Sequence, residues 1–117
     1  MHYAISTTWG PTDITRGALP FVFAASALQA GDTVMIMLFH DAVGVAVQGA
    51  CEKIIPVGPP PRYAEVYAHP NARVLVCKPC AEVRGVRAEM LVPGCVMAGM
   101  NDFHLEAARS DSKVVAF

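Results

Sequence analysis

Charge is scarce in this sequence. Nine basic and ten acidic residues among 117 leave only 16% of the chain charged and a net charge of −1. The basic residues are scattered, so the chain has neither a cationic stripe for nucleic acid nor a polybasic membrane patch. Long apolar runs are missing too. "ALPFVFAASALQA" (18–30) is 13 residues long and contains Gln29, short of the ~18 that a bilayer crossing needs. "MHYAISTTW" carries neither a basic n-region nor an apolar h-region, so no signal peptide is expected. "TTWGPTD" lacks the GxGxxG spacing of a phosphate-cradling loop, so a nucleotide or flavin has no support and no cofactor is expected. There is no internal repeat and no tandem hairpin signal. Four cysteines include a single CxxC pair, which favours a reducing, cytoplasmic compartment over a disulfide framework.

Apolar residues, by contrast, make up 54% of the chain. A chain of this length forms one domain, 1–117, and buries roughly two-thirds of its unfolded surface. The apolar share exceeds what one small core needs, so self-association is expected to cover the surplus.

Short β-like runs alternate with helix-like segments. "YAIST" (3–7) reads as a buried strand. Thr12 or Asp13 caps a helix over 14–29 that Gly31 stops, with Pro20 expected to bend or delay it. "TVMIMLF" (33–39) is a continuous apolar run of the kind that both faces of a parallel sheet bury. Residues 42–55 suit strand and helix equally. "PVGPPPRY" (56–63), with four prolines, reads as a surface connector, followed by a short helix over 62–68. "ARVLVC" (72–77) is the next strand, and a helix from Lys78 ends at Gly85, where a left-handed cap suits glycine. A strand at 94–99, a helix at 101–110 capped by Asn101 or Asp102, and a last strand at 113–117 complete the chain. The sum is a single α/β domain: a mostly parallel sheet of about five strands with helices on both faces.

The chemistry concentrates at "CKPCAEVRGV" (77–86). At the carboxyl end of a parallel strand, Cys77 stands on the edge where α/β proteins place reactive groups. A helix that begins there aims free N–H groups at the sulfur, and Pro79 is tolerated in its first turn. Lys78 supplies a nearby positive charge, and Arg84 another if it folds back. An ordinary thiol near pKa 8.5 is only about 3% thiolate at pH 7. Helix-terminus stabilisation of ~1–2 kcal/mol would lower that pKa by roughly one unit and make about a quarter of it thiolate.

Three uses of the pair compete. Zinc needs four ligands, and one CxxC supplies two, leaving His40, His69, His104, Cys51 or Cys95 to converge from afar; no metal site is expected. A thiol-disulfide dithiol of Cys77 and Cys80 has the right local order of strand, CxxC and helix. Sulfur transfer is the third use, with Cys77 accepting and donating a sulfane sulfur and Cys80 auxiliary. A fourth, non-catalytic reading makes Cys77 a core residue of an oligomeric binding module. Elsewhere, His40 and Asp41 follow the second strand and face the same rim, as do Trp9, Gly10 and Pro11. Cys95 is expected in the core, Cys51 in a structural role and His104 on the surface.

Three segments together resemble the DsrE/DsrF-like sulfur-relay family. "FVFAASALQAGDTVMIMLFHDAV" is similar to the family's first helix and second strand. "VLVCKPCAEVRGV" is similar to its strand, cysteine and short helix ending in Arg-Gly-hydrophobic. "VMAGMNDFHLEAARSDSKVVAF" is similar to its closing helix and final strand. In TusD-like members the persulfide-bearing cysteine precedes the glycine of the Arg-Gly element by eight residues, the spacing of Cys77 to Gly85. The resemblance implies a fold akin to flavodoxin, assembly into homotrimers or homohexamers, and sulfur-donor and sulfur-acceptor proteins as partners.

Overall fold

The structure, a computed structural model, describes residues 1–53 and 62–117. Five strands, β1 (His2–Thr7), β2 (Thr33–Leu38), β3 (Ala72–Cys77), β4 (Val96–Ala98) and β5 (Ser112–Ala116), form one sheet in the order β4-β3-β2-β1-β5. Every pairing is parallel. Among the described residues four α-helices accompany them: α1 (Ile14–Gln29), α2 (Tyr63–Ala68), α3 (Lys78–Glu82) and α4 (Met100–Ala107). The run "TVMIML" becomes the middle strand β2, where Val34 to Leu38 are all buried. That burial is what a strand covered on both sides requires.

Neighbouring residues of β1 identify the two faces, because successive side chains of a strand point oppositely. The Tyr3 ring meets Phe23 of α1 edge-on at 5.2 Å, whereas His2 next to it bonds Glu106 of α4. The helices α1 and α2 therefore share one face, joined by Phe21 lying 4.5 Å from the Tyr63 ring and 5.5 Å from Tyr67. The opposite face carries α4, anchored by a Phe39–Phe103 ring contact at 5.9 Å. Topology explains the split. The chain steps from β1 to β4 in one direction and then returns past β1 to β5, so a right-handed crossover puts α4 on the other face.

Local signals account for the ends of these elements. Asp13 is the N-cap of α1 and accepts the Arg16 N–H at 3.1 Å. At the other end, Gly31 takes φ 90° while its N–H donates to the Leu28 carbonyl and that of Asp32 to Ala27, a Schellman stop. Pro20 does not delay α1, which begins at Ile14 and runs through it. In α4 the cap position falls to Gly99, and Asp102 reaches back to accept its N–H at 2.8 Å.

The described part of the ambiguous stretch after β2, 42–53, is neither strand nor α-helix, and 54 and 55 lie outside the described residues. It forms two 3-10 segments, His40–Ala46 and Cys51–Lys53. Between them Val47 bridges Leu91, and the Gln48 side chain donates to the Leu91 carbonyl at 2.8 Å. Backbone groups in this stretch are thus satisfied by a distant segment, which local pattern does not reveal. Most of the proline-rich connector lies outside the described residues. No helix among the described residues is long and apolar enough to cross a membrane.

Candidate functional site

Three connections meet at the carboxyl edge of the sheet: those after β1, β2 and β3. Cys77 ends β3 and is the N-cap of α3, with Pro79 in the first turn. The helix then unwinds, and Gly85 takes φ 70°, the left-handed conformation that glycine adopts without strain. That turn brings Arg84 back over the rim. Its Nε donates to Asp41 Oδ1 at 3.1 Å, and an Nη hydrogen goes to the Cys80 carbonyl at 3.1 Å. The other Nη lies 2.6 Å from His40 Nδ1, so that ring nitrogen is the acceptor. Thr12 completes the cluster by donating to Asp41 Oδ2 at 3.1 Å. Hydrogen bonds from Arg84 first, and then Thr12, hold the Asp41 carboxyl below the usual carboxylate range.

Two backbone features fix this cluster. His40 adopts φ 53°, a left-handed position unusual outside glycine, which turns the chain sharply as it leaves β2. Gly10 is pressed against the same turn: a Cβ there would sit 2.0 Å from the Asp41 carbonyl oxygen. On the outer side Arg16 stacks 4.4 Å above the Trp9 ring.

Cys77 itself is 7% exposed. Burial is the main influence on its thiol and pushes the pKa up; a hydrogen bond with the Cys80 side chain pushes the same way. The Cys80 amide and the Arg84 guanidinium favour the thiolate but do not prevail. This overturns the expected lowering. The reason is size: α3 spans five residues, barely more than one turn, so few aligned peptide dipoles oppose the loss of solvation. Lys78 is exposed at the first position of α3, and the cation that acts on the sulfur is Arg84.

The structure therefore brings together Cys77, Cys80, Arg84, His40 and Asp41, with Lys78 at the margin. All four cysteines are free. Cys51 donates to the Val45 carbonyl at 3.0 Å, and burial raises its thiol to about 12. Burial raises Cys95 to about 11. Cys51 suits the structural role expected of it, whereas Cys95 is half-buried against the core and lies just before β4 rather than in the core. His104 is exposed on α4. Among the described residues no group of three or more His, Cys, Asp and Glu side chains is arranged to hold a metal. Sequence reasoning missed Gly10 as the contact that locks two loops together, and Thr12 as a partner of Asp41 rather than a helix cap.

A small α/β domain with Cys77 at the carboxyl edge of its parallel sheet, beside Cys80 and the Arg84 guanidinium, narrows the class. The profile of the DsrE/DsrF-like family matches residues 1–117, and the chain belongs to that family. The uncharacterized protein MJ0989 of Methanocaldococcus jannaschii is 31% identical over 117 residues, covering 97% of this chain and 98% of that protein. Among solved structures, the YchN protein of E. coli superposes with a TM-score of 0.78 at 19% identity, over 99% of this chain and 97% of that one. The protein of unknown function MTH1491 from Methanobacterium thermoautotrophicum gives 0.65 at 9% identity, over 99% and 96%. Both share the fold.

Proposed function

We propose that this protein carries sulfane sulfur as a persulfide on Cys77, receiving it from a donor protein and giving it to an acceptor thiol in the cytoplasm. Membership of the family points to sulfur relay, and one observation carries the reading to this residue. Cys77 is the cysteine that stands at the carboxyl edge of β3 against an Arg84 held by Asp41 and His40.

In the loading step the Cys77 sulfur attacks the outer sulfur of a donor persulfide, R–S–SH. The donor's S–S bond breaks as the new one to Cys77 forms, R–S− leaves, and the proton released by the Cys77 thiol ends on R–SH. Nothing is oxidised overall. Because burial holds the Cys77 proton, the protein at rest is a poor nucleophile. Loading at neutral pH is therefore slow rather than absent. Arg84 supplies the positive charge that stabilises the anion as it develops.

Register puts Val96 and Val114 on the α4 side of the sheet, and both are more than half exposed, as are Met100 and Leu105 of α4 itself. This apolar set is the surface that a homotrimer or homohexamer would cover. The substitution Leu105→Glu is expected to shift the mass in sedimentation equilibrium to the monomer.

Intact mass spectrometry tests the carrier. After exposure to a sulfane-sulfur donor, the reduced parent and Cys80→Ser should each gain about 32 Da, one sulfur atom, and Cys77→Ser should gain nothing. The contact between the Cys77 and Cys80 side chains favours a second reading, a dithiol. That reading predicts instead a loss of about 2 Da on mild oxidation, abolished by either substitution.

A further inference from the structure

His40 is a histidine where the backbone suits glycine. Its φ of 53° is left-handed, a conformation costly for most residues with a Cβ and easier for glycine or asparagine. Packing does not offset that cost, because the side chain is exposed. Among the described residues its ring makes one hydrogen bond, the 2.6 Å contact with Arg84. Backbone strain kept at an exposed position for a single polar contact points to a role at the site rather than in the fold.

The contact itself says what that role is. Arg84 has three acceptors: Asp41 and the Cys80 carbonyl, each at 3.1 Å, and His40, the shortest of the three. A guanidinium only donates, so Nδ1 gives its lone pair and the ring proton sits on Nε2. With both nitrogens committed, the ring cannot take up the proton that Cys77 releases while Arg84 is in place. What the ring does is hold a cation, and that cation favours the Cys77 thiolate.

We infer that His40 is a positioning residue for Cys77 that acts through Arg84: its Nδ1 holds the guanidinium where the positive charge reaches the sulfur, and the ring itself carries no proton in sulfur loading. This role refines the persulfide reading and rests on it for its purpose. The field at the sulfur, however, acts on the bare thiol and is measured without any sulfur donor.

Anionic iodoacetate and neutral iodoacetamide, similar in size, read that field. Both react with the thiolate, so the thiolate fraction cancels in the ratio of their rates at Cys77, and positive charge beside the sulfur raises the ratio. The rates are measured at pH 8.5, with the modification localised to Cys77 by tandem mass spectrometry. His40→Asn tolerates the left-handed backbone and offers an amide oxygen in place of Nδ1, whereas His40→Gly tolerates the backbone and deletes the acceptor. The ratio in His40→Asn should match the parent. In His40→Gly it should fall about threefold, the effect of a unit charge withdrawing by a few ångströms in a solvated rim, and in Arg84→Met by at least as much. Adding His40→Gly to Arg84→Met should change nothing more. The urea midpoint of His40→Gly should stay within about 0.3 M of the parent, as befits an exposed side chain.

A parental ratio in His40→Gly would overturn the inference, as would an equal fall in His40→Asn. So would a further fall when Arg84 is already gone, or a large loss of stability accompanying the lowered ratio. Failure of Cys77 to take up sulfur, with these ratios as expected, would instead remove the carrier reading and leave the role of His40 standing.

Discussion

Gly10→Ala is the substitution whose effect follows most directly from the geometry. The added methyl would lie 2.0 Å from the Asp41 carbonyl oxygen and 2.5 Å from its carbon. Both are main-chain atoms, so no rotamer change relieves the overlap. Separation to ordinary contact requires the turn after β1 and the turn after β2 to part by more than 1 Å (about the 1.4 Å between 2.0 Å and a tolerable ~3.4 Å). The turn that must move includes His40, already in a left-handed conformation, and Asp41, which holds Arg84. Overpacking typically costs ~1–3 kcal/mol, and a rigid backbone partner places this case at the top of that range, about 3 kcal/mol. With a urea dependence near 1.5 kcal/mol per molar, the unfolding midpoint should fall by about 2 M. The displacement should also loosen the Arg84 cluster and change the rate at which iodoacetamide modifies Cys77. A midpoint within about 0.3 M of the parent, equivalent to about 0.5 kcal/mol, with an unchanged alkylation rate, would refute the claim that these loops are locked together through Gly10.

Other outcomes follow from named contacts. Replacing Arg84 by Met removes the charge that favours the Cys77 thiolate, so alkylation of Cys77 at pH 8 should slow several-fold; an equal rate would show that the guanidinium does not act on the sulfur. Stability should decline as pH rises from about 9 towards 12, because the unfolded Cys51 thiol ionises near its ordinary 9.0 while the folded one holds its proton to about 12. Cys51→Ala should flatten that decline in pH-dependent urea melts, and an unchanged slope would contradict the burial of this thiol. Glu106→Gln strips the charge that faces the buried His2 at 2.7 Å, and Arg73 and Arg109 nearby. Those two arginines are well exposed and screened, so the loss of ~1–3 kcal/mol is assigned to the His2 contact, and His2→Gln should lose a similar amount by the same assay.

Much of this fold is written in local pattern. The unbroken apolar run of β2, the Asp13 cap, the Gly31 stop and the strand that ends in Cys77 are each decided within a few residues, and each lies where the pattern implies, whereas α3 ends at Glu82 rather than at Gly85. The stretch after β2 is different. Its 3-10 turns are held by hydrogen bonds to Leu91 and Met90, more than forty positions away, so no window of sequence contains their cause. The site divides along the same line. Topology alone brings His40, Asp41 and Cys77 to one edge once the sheet is parallel. The fold of Arg84 back onto Asp41 depends on the turn at Gly85. The state of the Cys77 thiol depends on burial, which the α3 motif does not encode: a helix start predicts an acidic thiol, whereas five residues of helix beneath a closed rim raise it.

The direct test of Cys77 as the sulfur carrier is to locate the sulfur. After loading with a sulfane-sulfur donor, the protein is capped with an alkylating agent that leaves a persulfide distinguishable by mass, digested and mapped by tandem mass spectrometry. The account predicts the extra sulfur on the peptide bearing Cys77, with Cys51 and Cys95 carrying none. Sulfur found on Cys51 or Cys95 while Cys77 remains an ordinary alkylated thiol would contradict it.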